Sequence, residues 1–313
     1  MKTHSPAIVT RYEETKRKNR HRAACETATR YKIEIGSTSA RAAIKITFNK
    51  HMQLQLNHAI ASRYKSRSQI ARVVTEDWAL RQLYCVACNS DSLRPFPANT
   101  KAVDYHCLMC SSAFQLKSGS AWSERRVPDA GYDAMMSAIQ SDRVPNLLLM
   151  QYSSDWTVRN LLLVPSFFFV PSAIECRKPL SPRARRAGWV GCNILLSAIA
   201  PEGKLPMVRN GEVIPARMVR AHYERVRSLA KLNVKLRGWT LDVLRVIHEL
   251  KLATFSLSDV YAFEARLREL HPQNFNIRPK IRQQLQVLRD HGLLQFISKG
   301  RYELLPSSGQ ARL

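Results

Sequence analysis

Tyr84-Cys85-Val86-Ala87-Cys88, followed by Asp104-Tyr105-His106-Cys107-Leu108-Met109-Cys110-Ser111-Ser112-Ala113-Phe114-Gln115-Leu116-Lys117, decides how this chain is read. Each Cys-x-x-Cys bends the backbone so that two thiolates reach one ion. The loop of about 18 residues between the pairs suits a four-cysteine zinc site. Buried thiols or two disulfides are the alternatives. Disulfides this dense belong to small secreted scaffolds, and no secretory signal is visible. A structural zinc on Cys85, Cys88, Cys107 and Cys110 is therefore expected, while the scattered Cys25, Cys176 and Cys192 read as ordinary thiols.

Residues 102–106 and 113–117 read as two short strands with the second Cys-x-x-Cys at the hairpin tip. Alternation along the second puts Gln115 and Lys117 on one face and Phe114 and Leu116 on the other. Asp104 on the neighbouring strand can then share a site with Gln115 and Lys117. That set suits Mg²⁺-assisted phosphodiester hydrolysis: Asp104 and Gln115 offer oxygens to a hard cation, and Lys117 positions or deprotonates a water. A surface Asp beside an exposed Lys is the plainer reading. Glu76 and Asp77 on the preceding helix could add a carboxylate or simply face solvent; His106 points to the same side as Asp104.

Composition narrows the partner. In 313 residues, 49 Lys and Arg stand against 24 Asp and Glu, a net charge of +25, with 45% apolar and 23% charged residues. This is a globular chain with room for two domains and a surplus of positive charge that marks a polyanion, nucleic acid first. No membrane partner is expected: the most apolar stretch, 160–174, is broken by Pro165 and Pro171. A cytoplasmic monomer is the resulting expectation.

Residues 1–51, with the run Lys16-Arg17-Lys18-Asn19-Arg20-His21-Arg22, read as a disordered or loosely attached basic extension. A transit peptide fits less well because Glu13, Glu14, Glu26 and Glu34 intervene. Beyond it, a helix at 68–83, the hairpin, a helix around Tyr132–Ile139, and apolar strands at 147–152 and 161–164 predict an α/β (α+β) mixed sheet over 52–232. A second unit, 233–305, starts near Gly238: three helical stripes, the third from Pro279 to Gly292, then strands flanking Lys299-Gly300. Three helices and a hairpin are the plan of a winged helix. Residues 306–313 form a tail.

The segments Thr75-Glu76-Asp77-Trp78, Tyr84–Cys88, Asp104–Cys110, Phe114–Lys117, the arginine-rich block from Arg177 to Ile194, and Ile281–Asp290 resemble the DpnI family of restriction endonucleases. The resemblance spans roughly residues 52–305. It implies a PD-(D/E)xK restriction-endonuclease-like domain with a four-cysteine zinc knuckle and a C-terminal winged helix, cutting duplex DNA at GATC when the adenine carries an N6-methyl group, with catalytic Mg²⁺ and structural Zn²⁺. Two residues depart from the pattern. Val103 stands where Pro is usual, and Gln115 stands where the family has an acid, so one negative charge is missing. Hence the rival expectation of a zinc-containing, methyl-DNA-binding regulator without hydrolysis; an RNA nuclease or RNA-binding module is a third.

DNA contacts are expected from two places. Arg183, Arg185 and Arg186 crowd a Pro-punctuated loop beside Trp189, where guanidinium groups suit phosphate or guanine and an indole can stack on or wedge between bases. On the third helix of the C-terminal unit, burial of Ile281, Leu285 and Leu288 leaves Arg278, Lys280, Arg282, Gln283 and Gln286 outward, a face that fits a major groove.

Overall fold

The computed structural model describes residues 52–97, 100, 102–121 and 123–306. The extension expected over 1–51, with Cys25, and the tail beyond Pro306 lie outside those residues. Helix α1 (Arg67–Gln82) has neither Pro nor Gly and buries Val74, Trp78 and Ala79 at helical spacing. Its indole N–H at Trp78 donates to the Gln53 carbonyl at 2.8 Å. Leu83 ends the helix in extended conformation, so the chain runs straight from α1 into the first cysteine turn.

The main sheet collects β1 (Arg94–Pro95), β2 (Tyr105–His106), β3 (Ala113–Gly119), β5 (Asn146–Tyr152), β6 (Val158–Val164), β9 (Leu205–Arg209) and β10 (Glu212–Val213) in that spatial order. Between β3 and β5 the chain passes through β4 (Arg126–Gly131) and α2 (Tyr132–Gln140). That crossover makes β3 and β5 parallel, from Phe114 opposite Asn146 to Gly119 opposite Gln151. Leu147, Leu148, Leu149 and Met150 of β5 are all buried, as a strand covered on both faces requires. A second, three-stranded antiparallel sheet sets β4 beside β8 (Gly191–Leu195) and β7 (Ile174–Cys176). Helix α3 (Ala216–Arg227) closes this half.

The C-terminal half is α4 (Val234–Glu249), β11 (Thr254–Ser256), α5 (Leu257–Tyr261), α6 (Glu264–Leu270), α7 (Ile277–Asp290), β12 (Leu294–Ser298) and β13 (Arg301–Leu304). Ser256 and Asp259 form a capping box at the start of α5. α7 buries Ile281, Leu285 and Leu288 and ends before Gly292, whose φ of 67° suits the turn into β12. Lys299-Gly300 makes the predicted turn, with β11 added as a third strand beside β13.

Three of the expected helices and strands differ in the structure. The first winged-helix element begins at Val234, not near Gly238, because Asn233 caps it by accepting the Leu236 N–H at 2.9 Å. Gly238 sits in the helix interior. The expected second helix is two, broken between Tyr261 and Glu264. The strand expected over 102–106 is only Tyr105–His106: Ala102 takes a left-handed φ of 60°, and Asp104 replaces a ladder carbonyl with its own carboxylate.

Helix α4 packs on both halves. Arg237, 2% exposed, ion-pairs with Asp142 beyond α2. Asp242 accepts from Ser172 Oγ at 2.5 Å and meets His271 Nε2 at 2.9 Å. His248 Nε2 reaches the buried Glu202 carboxylate at 2.8 Å. Among the described residues, no helix is long and apolar enough to cross a membrane.

Candidate metal knuckle and catalytic cleft

The two cysteine turns are built alike: the Cys85 N–H donates to the Ser90 carbonyl and the Cys107 N–H to the Ser112 carbonyl, both at 3.0 Å. They bring four unbridged thiols together, with Cys85 and Cys110 Sγ 3.5 Å apart, Cys88 and Cys107 Sγ 3.5 Å apart, and all four sulfurs within 4.8 Å of one another. A tetrahedral ion with bonds of about 2.3 Å spaces its sulfurs by roughly 3.8 Å, so the cluster fits zinc. Burial works against ionisation at Cys107, yet N–H groups of Cys110 and Met109 and the neighbouring thiols bring it down to about 6. Burial pushes the Cys85 thiol up. Cys176 and Cys192 stand apart from the cluster, as the sequence suggested.

One residue absent from the sequence reading holds the knuckle in place. Arg220 on α3 donates from Nε to the Cys85 carbonyl at 3.0 Å and from Nη2 to the Ser90 carbonyl at 2.9 Å, while its guanidinium lies 5.0 Å from the Tyr84 ring centre. The first turn is thereby fixed to the body of the domain.

Three residues before Cys107, Asp104 accepts the Leu116 N–H on Oδ2 at 2.7 Å. Its carboxylate is thus tied to the strand that carries Gln115 and Lys117. Burial raises the Asp104 pKa; the Leu116 N–H opposes this, Glu76 adds to it, and Lys117 and Arg72 oppose it. Glu76 and Asp104 line one cleft of about 180 Å³ with Arg72, Leu80, Phe96 and Tyr105. Asp77 does not line that cleft and is bound to Arg81 on the same helix. His106 lies tilted against Phe96, the ring centres 4.6 Å apart.

Lys117 is not paired with Asp104. Its Nζ lies 2.7 Å from Asp129 Oδ1 on β4, and it lines a separate recess of about 110 Å³ with Ser118, Ala121, Ser123 and Val127. Asp129 was not singled out in the sequence, although the chain's Pro-Asp dipeptide, Pro128-Asp129, was the available signal.

The arginine loop joins β7 to β8 in the same small sheet as Asp129. Leu180 N–H donates to the Trp189 carbonyl at 2.9 Å and Gly188 N–H to the Leu180 carbonyl at 3.1 Å, pinching the neck of the loop. Arg183, Arg185 and Arg186 are exposed at its tip, and Arg186 lies 4.4 Å over the half-buried Trp189 ring. The indole rests on Gly191, where a Cβ would approach it to 2.8 Å. β8, which leaves the loop, pairs with β4 on either side of Asp129, Pro128 opposite Asn193 and Gly131 opposite Gly191, so the loop base lies beside the Lys117 ion pair.

On α7, Arg282, Gln283 and Gln286 are exposed. Arg278 is exposed but ion-paired with Glu264 at 2.7 Å, and Arg282 donates to the Tyr261 hydroxyl at 2.7 Å. Lys280 is half-buried, 5.9 Å from the Trp239 ring centre.

Comparison with known families agrees with this architecture. Residues 52–232 match the DpnI family model, described as the Dam-replacing family. Residues 235–304 match DpnI_C, described as the Dam-replacing HTH domain.

Proposed function

The chain belongs to the DpnI, or Dam-replacing, family, and on that premise we propose that it is a type II methyl-directed restriction endonuclease. Its substrate in this reading is duplex DNA containing GATC with N6-methyladenine. The observation that carries the catalytic part is the Asp104 carboxylate held on the Leu116 N–H, between the two side chains of the Gln115-x-Lys117 strand.

Cys85, Cys88, Cys107 and Cys110 would hold zinc in a structural role, clamping the hairpin that presents Asp104 and Gln115. Asp104 and Gln115, with Glu76 across the cleft, supply the oxygens that would hold Mg²⁺. That ion, when bound, supplies positive charge at the scissile phosphate. Asp104 is held in one orientation by its hydrogen bond. Lys117, kept in place by Asp129, orders the attacking water and offsets charge on the phosphate oxygens. Arg183, Arg185 and Arg186 grip the backbone while Trp189 meets the bases. α7 enters the major groove as a second reader through Arg278, Arg282, Gln283 and Gln286, while Lys280, expected on the same face, is turned toward Trp239.

A second reading, a methyl-DNA-binding regulator that does not cut, is favoured by the neutral Gln115 and by the Lys117–Asp129 pair opening into a recess separate from Asp104. Incubation with Mg²⁺ and plasmid grown with or without adenine methylation decides between them. Cutting of methylated plasmid alone supports the endonuclease. Methylation-blind cutting removes the specificity, and binding without cutting leaves the regulator.

A further inference from the structure

Phe275 is 88% exposed, immediately before the Asn276 cap of α7. An apolar residue at this position commonly packs on the fourth residue of the helix as a hydrophobic staple. Here that fourth residue is Lys280, half-buried beside Trp239, so the ring has no apolar partner within its own helix. Nor is the turn loose. The Asn274 N–H donates to the His271 carbonyl at 3.0 Å, and Asn274 Oδ1 accepts the Asn276 N–H at 2.8 Å.

The surroundings state what could cover the ring. Along α7 the exposed face continues with Arg278, Arg282, Gln283, Gln286 and Arg289, a basic and amide-bearing surface complementary to duplex DNA. In helix-turn-helix domains it is the N-terminal residues of the recognition helix that reach base edges. An aromatic ring among major-groove base edges has few apolar groups to meet. The C5-methyl of thymine is one, and an N6-methyl on adenine is the other.

We propose that Phe275 is a specificity residue of the winged helix that packs against a methyl group in the major groove. The inference rests on the endonuclease reading for the choice of GATC and N6-methyladenine; the apolar contact itself follows from the ring and the face it heads.

The test is fluorescence anisotropy on the full-length protein without added Mg²⁺, using four GATC duplexes: with or without N6-methyladenine, each with thymine or uracil. Wild type, Phe275→Ala and Phe275→Leu are compared. Removing the contacted methyl weakens wild type and Phe275→Leu about tenfold and leaves Phe275→Ala indifferent. Which arm shows the effect tells thymine from methyladenine. Equal weakening of Phe275→Ala on all four duplexes overturns the proposal, as does a methyl preference that survives in Phe275→Ala. Concentration-dependent self-association lost in Phe275→Ala, with DNA binding unchanged, overturns it too. A wild type blind to N6-methyl defeats the methyl-directed reading alone, since the thymine arm still decides the role of Phe275.

Discussion

Lys117 of β3 and Asp129 of β4 form an ion pair at 2.7 Å, and the carboxylate side chain is only 3% exposed. The pair ties the main sheet to the small sheet that carries the arginine loop. The ammonium left by removing Asp129 is a quarter exposed and can turn to solvent, so the cost is that of a lost charge-assisted hydrogen bond. Asp129→Ala is therefore expected to lower urea-unfolding stability by roughly 1–2 kcal/mol. It is also expected to depress DNA cleavage more than an equally destabilising change away from the cleft. Unchanged cleavage in a folded Asp129→Ala protein would separate Lys117 orientation from catalysis.

In the endonuclease reading Gln115 is the neutral member of the Mg²⁺ site. Gln115→Glu adds a carboxylate to β3 one residue from the Leu116 N–H that holds Asp104, so half-maximal cleavage is expected at about tenfold lower Mg²⁺, since cation affinity rises with ligand charge. A Mg²⁺ titration of both proteins reads this directly. Activity only in the mutant would assign the wild-type chain to the regulator reading.

The knuckle is expected to hold one zinc per chain, measurable by elemental analysis of purified protein. Cys107→Ser should abolish it and lower Tm by more than 10 °C, an order-of-magnitude figure for a metal whose binding energy is folding energy. Full zinc retention in Cys107→Ser would remove that residue from the ligand set. Arg220→Met should weaken the clamp on the same turn while leaving the metal bound.

Binding should fall steeply with salt, because each neutralised phosphate releases counterions. Replacing Arg183, Arg185 and Arg186 together by Ala is expected to reduce the slope of log K against log salt by about 2–3. A slope equal to that of wild type would place the loop off the DNA.

Local signals made much of this legible. The Cys-x-x-Cys spacing announced a cluster now seen with all sulfurs within 4.8 Å, and the alternation of β3 announced the buried Phe114. The helical stripes of α1 and α7 were visible for the same reason: period alone encodes them. Gly238 misled because glycine weakly disfavours helices, and the Asn233 cap with tertiary burial outweighed it. Asp129, Arg220 and Asp142 were hidden because their partners lie on distant elements. No spacing rule joins Arg237 to a residue 95 positions away.

That last contact gives α4 a double allegiance. It is the first helix of the winged unit, yet it is riveted to the N-terminal half by Arg237 to Asp142, Asp242 to Ser172 and His248 to Glu202. Only Leu232 and Asn233 separate it from the helical turn before it. The two halves are therefore poor candidates for modular exchange: a chimera grafting a foreign reader at residue 233 inherits an orphaned Asp142 and Glu202 unless its first helix reproduces these three contacts. Recombination would have to treat α4 as part of the recipient.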